Sequence, residues 1–250
     1  MTNLAFVGCG HIHTPGFIHN VNRRADSVRV KSVWDHDIPR AEKRSGELAG
    51  SSVEADLAKI CADPEITAAI VCTETIRHEE VVLPLVEAGK HVFVEKPLGF
   101  ASADAYKMAA AIEANGLFFS TGYFSRGDAK LRFAKKQIEA GSLGQITRAR
   151  MSNCHSGALG GWFDGEWRWM ADPAQSGCGG FGDLGTHVLD ILLWYFGEVK
   201  TATAQLDNGT ARYPGCDETG EGMLRFESGV IATLAAGWDD VADPDRKSVV

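Results

Sequence analysis

Leu4-Ala5-Phe6-Val7-Gly8-Cys9-Gly10-His11-Ile12-His13 opens with an apolar run that breaks into a glycine turn. Four consecutive apolar residues followed by Gly-x-Gly predict a buried strand, a tight turn and the start of a helix. Such an order points backbone N–H groups and the positive end of a helix dipole at one place, where a pyrophosphate can be held. The third small position of the usual fingerprint, which lets helix and strand approach, is His13 instead. Taken alone, the turn is a weak signal.

Working outward, short apolar runs alternate with helix-like segments as far as about Gly122. This alternation predicts an α/β fold, a doubly wound parallel sheet with helices on both faces. Strands are expected at Leu4 to Val7, Val28 to Trp34, Ala68 to Thr73, His91 to Glu95 and Leu117 to Thr121. Helices are expected near Pro15 to Arg23, Ile38 to Leu48, Glu79 to Ala88 and Ser102 to Asn115, with Gly89 and Gly116 as C-terminal caps. A linking helix over 128–140 ends in Gly141-Ser142-Leu143-Gly144. Beyond it come a strand from Ile146 to Asn153, a Gly- and Trp-rich loop, and a buried helix from Asp183 to Phe196. Strands near Thr201 to Leu206, Gly220 to Phe226 and Val230 to Trp238 complete an α+β half, with a hairpin turn at Glu227-Ser228-Gly229.

Composition narrows the classes. The 250 residues are 44% hydrophobic and 23% charged, ordinary for a globular chain of two domains. A net charge of −8 disfavours nucleic acid, whose binding rests on Lys and Arg neutralising phosphates. No run is long and apolar enough for a membrane helix, and no basic leader precedes the first strand, so a cytoplasmic location is expected. The six cysteines, at 9, 61, 72, 154, 178 and 216, form no C-x-x-C pair and read as reduced packing residues.

Four features carry chemistry. Asp35 ends the second strand, the place from which a carboxylate binds ribose hydroxyls and repels a 2′-phosphate, so NAD is favoured, while Lys31 and Arg40 nearby keep NADP open. Its competing reading is a solvated turn residue. Glu95-Lys96-Pro97 lies at the carboxyl end of a strand, the rim where open α/β sheets bind ligands, although the same tripeptide is common on surfaces. Pro97 holds Lys96 extended and admits a cis bond. In the buried helix, Asp183, His187, Asp190 and Trp194 return to one arc, so a polar stripe on an apolar helix needs a partner or a ligand. An Asp-His pair that only pins the helix is the alternative. His11, His13 and His19 raise the thought of a metal, but no carboxylate cluster lies at a convincing spacing, so no metal site is expected; His11 reads instead as lining a phosphate or nicotinamide pocket, or as satisfied by local hydrogen bonds.

The chain resembles the Gfo/Idh/MocA family, the glucose-fructose oxidoreductase and inositol dehydrogenase group. The resemblance runs through nearly the whole sequence: Val7 to Gly10, Asp63-Pro64-Glu65-Ile66, Thr73 with His78, Glu87 to Val92, Glu95-Lys96-Pro97, Gly141 to Gly144, Trp167-Arg168, and Gly179-Gly180-Phe181-Gly182-Asp183-Leu184-Gly185-Thr186-His187. It implies a Rossmann domain over 1–122 and, over 123–250, a substrate-binding and oligomerisation α+β domain with an open, mainly antiparallel sheet. The nicotinamide would lie between them. Lys96, Asp183 and His187 match the family's catalytic set: the histidine as general acid/base, the lysine on the reacting oxygen, the aspartate holding substrate and histidine. Gly8, Gly10, His11, Ile12, Asp35, Thr73, His78, Glu95 and Lys96 are then the cofactor-binding set. Arg126, Asn153, His155 and Trp169 are candidate substrate residues, with a surface charge and loop packing as the plainer readings.

The implied activity is NAD(P)-dependent hydride transfer to or from a carbinol carbon of a sugar, cyclitol or related polyol, in a homo-oligomer joined through the C-terminal sheet. Family members continue with further strands past the position of Trp238, whereas this chain closes with Asp243-Pro244-Asp245-Arg246-Lys247-Ser248-Val249-Val250, which raises the expectation of an incomplete second sheet with exposed edges. A nucleotide-sensing regulator without turnover, or a truncated inactive member, is the rival class; a zinc-dependent hydrolase is a distant third.

Overall fold

A computed structural model describes residues 1–241, so the closing stretch from Asp243 lies outside the described residues. Two compact units form: Met1–Gly122 with Ala174–Gly177, and Tyr123–Pro173 with the chain from Cys178 onward.

In the first unit the apolar runs become β1 (Thr2–Val7), β2 (Val28–Trp34), β3 (Ser52–Val53), β4 (Ala68–Val71), β5 (His91–Val94) and β6 (Phe119–Thr121). They pair in the order β3-β2-β1-β4-β5-β6, all parallel. The order reverses between β1 and β4, which opens a crevice at the carboxyl edge of the sheet. Ala5 and Val7 of β1 point into a core shared with Val71, Val94 and the helices α4 (His78–Glu87) and α5 (Ser102–Ala114). Phe6, one residue out of phase, joins Val30, Val33 and Ile18 of α1 (Thr14–Asn22), together with Ala41 of α2 (Ile38–Gly46), in a second core on the opposite face. Burial on both faces explains why β1 and β4 carry unbroken apolar runs, Leu4 to Val7 and Ala68 to Val71.

Two elements escape the sequence reading. The strand β3 has two residues and the helix α3 (Leu57–Ala62) has six, too few for either period to register.

The second unit begins with α6 (Ala129–Glu139), whose head is capped by the Asp128 carboxylate accepting from Lys130 N at 2.7 Å. The short α7 (Pro173–Ser176) belongs mostly to the first unit; in the second, after β7 (Arg148–Cys154), the helix α8 (Gly180–Phe196) packs on a sheet completed by β8 (Val199–Asp207), β9 (Thr219–Phe226) and β10 (Ile231–Gly237). The order is β7-β10-β9-β8, with β7 and β10 parallel and the other two pairs antiparallel. Along β9, Leu224 and Phe226 face Val188 and Leu192 of α8, while Glu221, Met223 and Arg225 alternate outward. The hairpin turn closes with Gly229 at φ +87°.

The helix α8 starts three residues before Asp183. Its glycines obscured that start in the sequence and allow it in the fold: a Cβ on Gly180 would stand 2.3 Å from the Glu218 carbonyl oxygen and 2.8 Å from the Trp238 ring. Among the described residues no helix is long and apolar enough to cross a membrane.

Candidate active site

In the first unit the site grows from the glycine turn after β1. Gly8 has φ +81°, and a Cβ there would meet Thr73 Cγ2 at 2.1 Å, so both conformation and packing demand glycine. The turn is fastened by backbone and side chain together: Gly8 N donates to Trp34 O at 2.7 Å, His11 N to Cys72 O at 3.0 Å, and Cys9 N to Asp35 Oδ2 at 2.7 Å. Ile12 follows, half-buried, and His13 stands at the N-cap of α1.

Asp35 is buried, and its carboxylate is engaged within the chain. Besides Cys9 N and Asp37 N, it accepts Arg40 Nε on Oδ2 and Arg40 Nη2 on Oδ1, each at 2.8 Å. Arg40 Nη2 also donates to Glu74 Oε1 at 2.9 Å. Burial works against the guanidinium charge, but Asp35 and Glu74 raise its pKa further than burial lowers it. A Cβ on Gly10 would stand 2.9 Å from Arg40 Nη1 and 3.1 Å from Glu74 Oε1, so this ion group packs directly on the turn. Glu74, buried and one residue past Thr73, was not anticipated; its place just beyond a strand end was the available signal.

Glu95 and Lys96 follow β5 and are buried, and the Lys96–Pro97 peptide is cis. Glu95 Oε2 accepts Lys96 N at 2.8 Å, while Oε1 accepts His13 Nδ1 at 3.0 Å and lies 3.7 Å from His11 Nδ1. Burial alone would raise the Glu95 carboxyl; His11 and His13 outweigh it and hold the group at about 2. His78 begins α4 fully buried, its Nδ1 bonded to Leu98 O at 3.0 Å, and burial pushes its imidazole pKa down.

A dinucleotide fits these residues. The buried hydroxyls of Thr73 and Thr121, just past β4 and at the end of β6, have no hydrogen-bond partner among the described residues, and they stand at the carboxyl edge where such a ligand's polar groups bind.

In the second unit, Asp183 and His187 lie one turn apart near the head of α8. Asp183 Oδ2 accepts Trp238 Nε1 at 3.0 Å. The His187 ring is buried beside Tyr123 and Phe124, with centroids 5.7 and 5.5 Å away, and Tyr123 OH bonds Thr186 Oγ1 at 2.6 Å. Tyr123 also escaped the sequence reading, because it belongs to a loop 64 residues from the histidine it borders.

The proposed substrate residues are more dispersed. Arg126 holds Asp190 in a forked ion pair at 2.7 to 3.0 Å, so Asp190 leaves the polar stripe of α8 for this partner. Asn153 Nδ2 donates to Leu184 O at 3.2 Å, tying β7 to α8. His155 Nδ1 accepts Gly157 N, and its ring lies 4.7 Å from that of Trp162. Trp169 is buried beside Met170 and Ala171 in a short 3-10 turn.

Two of the histidines, His11 and His13, do meet a carboxylate in the fold. The carboxylate missing from their neighbourhood in sequence comes from Glu95, 82 residues beyond His13, which the pairing of β4 with β5 carries to the turn. His19, in the last turn of α1, is not part of the group.

Comparison with known proteins adds what geometry cannot. Residues 2–123 match the model of an oxidoreductase family described by its NAD-binding Rossmann fold, and residues 131–250 match the GFO/IDH/MocA C-terminal domain. Inositol 2-dehydrogenase 2 of Saccharopolyspora erythraea is 28% identical, over 93% of this chain and 65% of the relative. Levoglucosan dehydrogenase of Pseudarthrobacter phenanthrenivorans is 27% identical, over 85% of this chain and 60% of the relative. The chain thus spans less than two thirds of the length of either. Scyllo-inositol dehydrogenase from Lactobacillus casei, solved with NAD(H) and scyllo-inositol, superposes with a TM-score of 0.80 at 24% identity, covering 95% of this chain and 69% of that one, a likeness of fold. With the glycine turn, the parallel sheet order and both family matches in agreement, the chain belongs to the Gfo/Idh/MocA oxidoreductase family.

Proposed function

We propose that this protein is an NAD(P)-dependent oxidoreductase that interconverts a secondary alcohol and a ketone on a sugar, cyclitol or related polyol. The observation that carries the reading is a buried lysine, Lys96, at the carboxyl edge of a Rossmann sheet whose glycine turn is fastened for a dinucleotide. The inositol and levoglucosan dehydrogenases it is similar to supply the substrate class.

A bound nicotinamide supplies the hydride acceptor. His187 takes the hydroxyl proton as the alcohol is oxidised, and Lys96 donates a hydrogen bond to the oxygen as negative charge builds there. Asp183 orients the histidine and the substrate hydroxyls. NAD is the proposed cofactor; NADP is admitted because Arg40 neutralises the Asp35 carboxylate that would otherwise repel a 2′-phosphate. A homo-oligomer built through the second unit's sheet belongs to the same proposal.

The test is NADH formation across a panel of cyclitols, aldoses and anhydrosugars, run beside a nucleotide-binding titration. Turnover with at least one compound is expected, and His187→Ala should lower it by about 10²- to 10⁴-fold. Nucleotide binding without turnover anywhere in the panel would replace this reading with that of a non-catalytic sensor.

A further inference from the structure

We propose that His11, His13 and Glu95 form a binding site for one divalent metal ion of the zinc class at the mouth of the glycine turn. One ligand atom from each residue lies within 4.8 Å of the other two. Glu95 Oε1 is 3.0 Å from His13 Nδ1 and 3.7 Å from His11 Nδ1. Ligands about 2.0 to 2.2 Å from a tetrahedral ion stand roughly 3.3 to 3.6 Å from one another, so the two spacings to Glu95 bracket what an ion requires.

The chemistry of the donor set agrees. Two imidazoles and one carboxylate are a zinc-type ligand set that leaves a fourth position for water or a substrate oxygen. His11 Nδ1 accepts the His13 backbone N–H at 3.2 Å, so it is the unprotonated nitrogen of its ring, and an ion bound there would take over the lone pair that this long contact uses. The second oxygen of Glu95 is anchored by Lys96 N at 2.8 Å, which fixes the carboxylate plane as outer hydrogen bonds do in metal centres.

Burial defines both the need and the route. The Glu95 and His11 side chains are 1% and 3% exposed, whereas His13 is 48% exposed. A carboxylate this deep requires compensating charge, and a cation provides it without requiring either ring to be protonated. Entry is from solvent past His13. The same His13 that departs from the dinucleotide fingerprint thereby acquires a reason to be histidine: it is the solvent-side ligand.

The experiment uses the full chain without a histidine tag, stripped with chelator and free of nucleotide, so that its outcome is separate from that of the dehydrogenase reading. Zn²⁺ is titrated calorimetrically, and Co²⁺ is followed by its visible absorption. One equivalent per chain is expected, with a Co²⁺ spectrum typical of a four- or five-coordinate nitrogen and oxygen site. His13→Ala and His13→Gln, both at a half-exposed position and each checked for folding by circular dichroism, should weaken Zn²⁺ binding about tenfold or more. His19→Ala should bind as the parent does. Absence of saturable binding, any smaller loss in the folded His13 variants, or a comparable loss in His19→Ala overturns the site.

Discussion

Arg40 grips both carboxylate oxygens of Asp35, Nε on one and Nη2 on the other, each at 2.8 Å, while the same Nη2 reaches Glu74 at 2.9 Å. The fork joins the end of β2 to the residue beyond Thr73, and Asp35 in turn holds the amide of Cys9 inside the glycine turn. One half-buried cation thus organises two buried carboxylates around the glycine turn. Removing one partner of such a group leaves uncompensated charge in the interior. Arg40→Met should therefore lower stability by about 3 to 5 kcal/mol in urea unfolding. Adding Asp35→Asn to that variant should recover part of the loss, because one stranded charge goes with it. If the double variant is as unstable as the sum of the two single ones, the charge argument fails.

Most of the fold was legible because the sheet of the first unit is buried on both faces. Strands such as β1 and β4 carry unbroken apolar runs, and glycine closes several helices. The second unit was readable from its short apolar runs and from the turn at Glu227-Ser228-Gly229 that separates two of them. What escaped lacked a period or depended on distant partners. Two residues of β3 cannot alternate, and the glycines of α8 conceal its start because helix propensity is silent about a Trp238 ring that needs the space. Of the proposed catalytic residues, Lys96, Asp183 and His187 stood out by position. Glu74, Tyr123 and the link from His13 to Glu95 did not, since each acquires its meaning from a residue 34 to 82 positions away.

Two glycines near the turn should respond in opposite directions to the same substitution. Gly8→Ala places a Cβ 2.1 Å from Thr73 Cγ2 at φ +81°, which only a shift of β4 can relieve. A loss of about 2 kcal/mol or more is expected. Gly16, in the first turn of α1, has open space where a Cβ would go. Gly16→Ala should raise stability by about 0.5 to 1 kcal/mol through helix propensity alone. Melting temperatures moving the same way in both variants would contradict this account of the turn.

Asp104 offers a pH test. Its carboxylate accepts Phe100 N and Ala101 N, both at 2.7 Å, at the head of α5. Burial is the largest single influence and raises the pKa, but the backbone donors together outweigh it and leave the pKa below the ordinary aspartate value. A depressed carboxyl stabilises the fold fully above its unfolded pKa and ceases to do so as pH falls through the folded one. Asp104→Asn should therefore cost about 1 kcal/mol near neutrality, and the difference from the parent should shrink as the solution is acidified below the ordinary aspartate range. A difference independent of pH would mean that the charge plays no part in the cap.

The cysteines should behave as packing groups. None of the six is in a disulfide, and burial pushes up the thiol pKa of Cys9, Cys72 and Cys216, the last to about 12. The thiolate is the reactive species, so iodoacetamide at pH 8 should leave these three unmodified in the native protein and label all six in guanidinium. Peptide mass spectrometry reads the result residue by residue. Native labelling of Cys72 as fast as in denaturant would show that the ends of β1 and β4 open to solvent.

Asp217 should matter to catalysis without touching a substrate. Its Oδ1 accepts Gly179 N at 2.5 Å and its Oδ2 accepts Gly182 N at 2.9 Å, which satisfies two amides at the head of α8 that the helix itself leaves unbonded. The caps are supplied from 35 to 38 residues away because Gly179, the N-cap residue, has no side chain to do so. Asp183 and His187 are borne on the first two turns of this helix. Asp217→Ala should cost about 1 to 2 kcal/mol of stability by loss of the cap. If the dehydrogenase proposal holds, the frayed first turn should also lower kcat while leaving nucleotide affinity unchanged, since the nucleotide is held by the first unit. Asp217→Asn, which retains one acceptor oxygen, should fall between the two. A variant that loses nucleotide affinity and keeps kcat would place the effect of Asp217 somewhere other than α8.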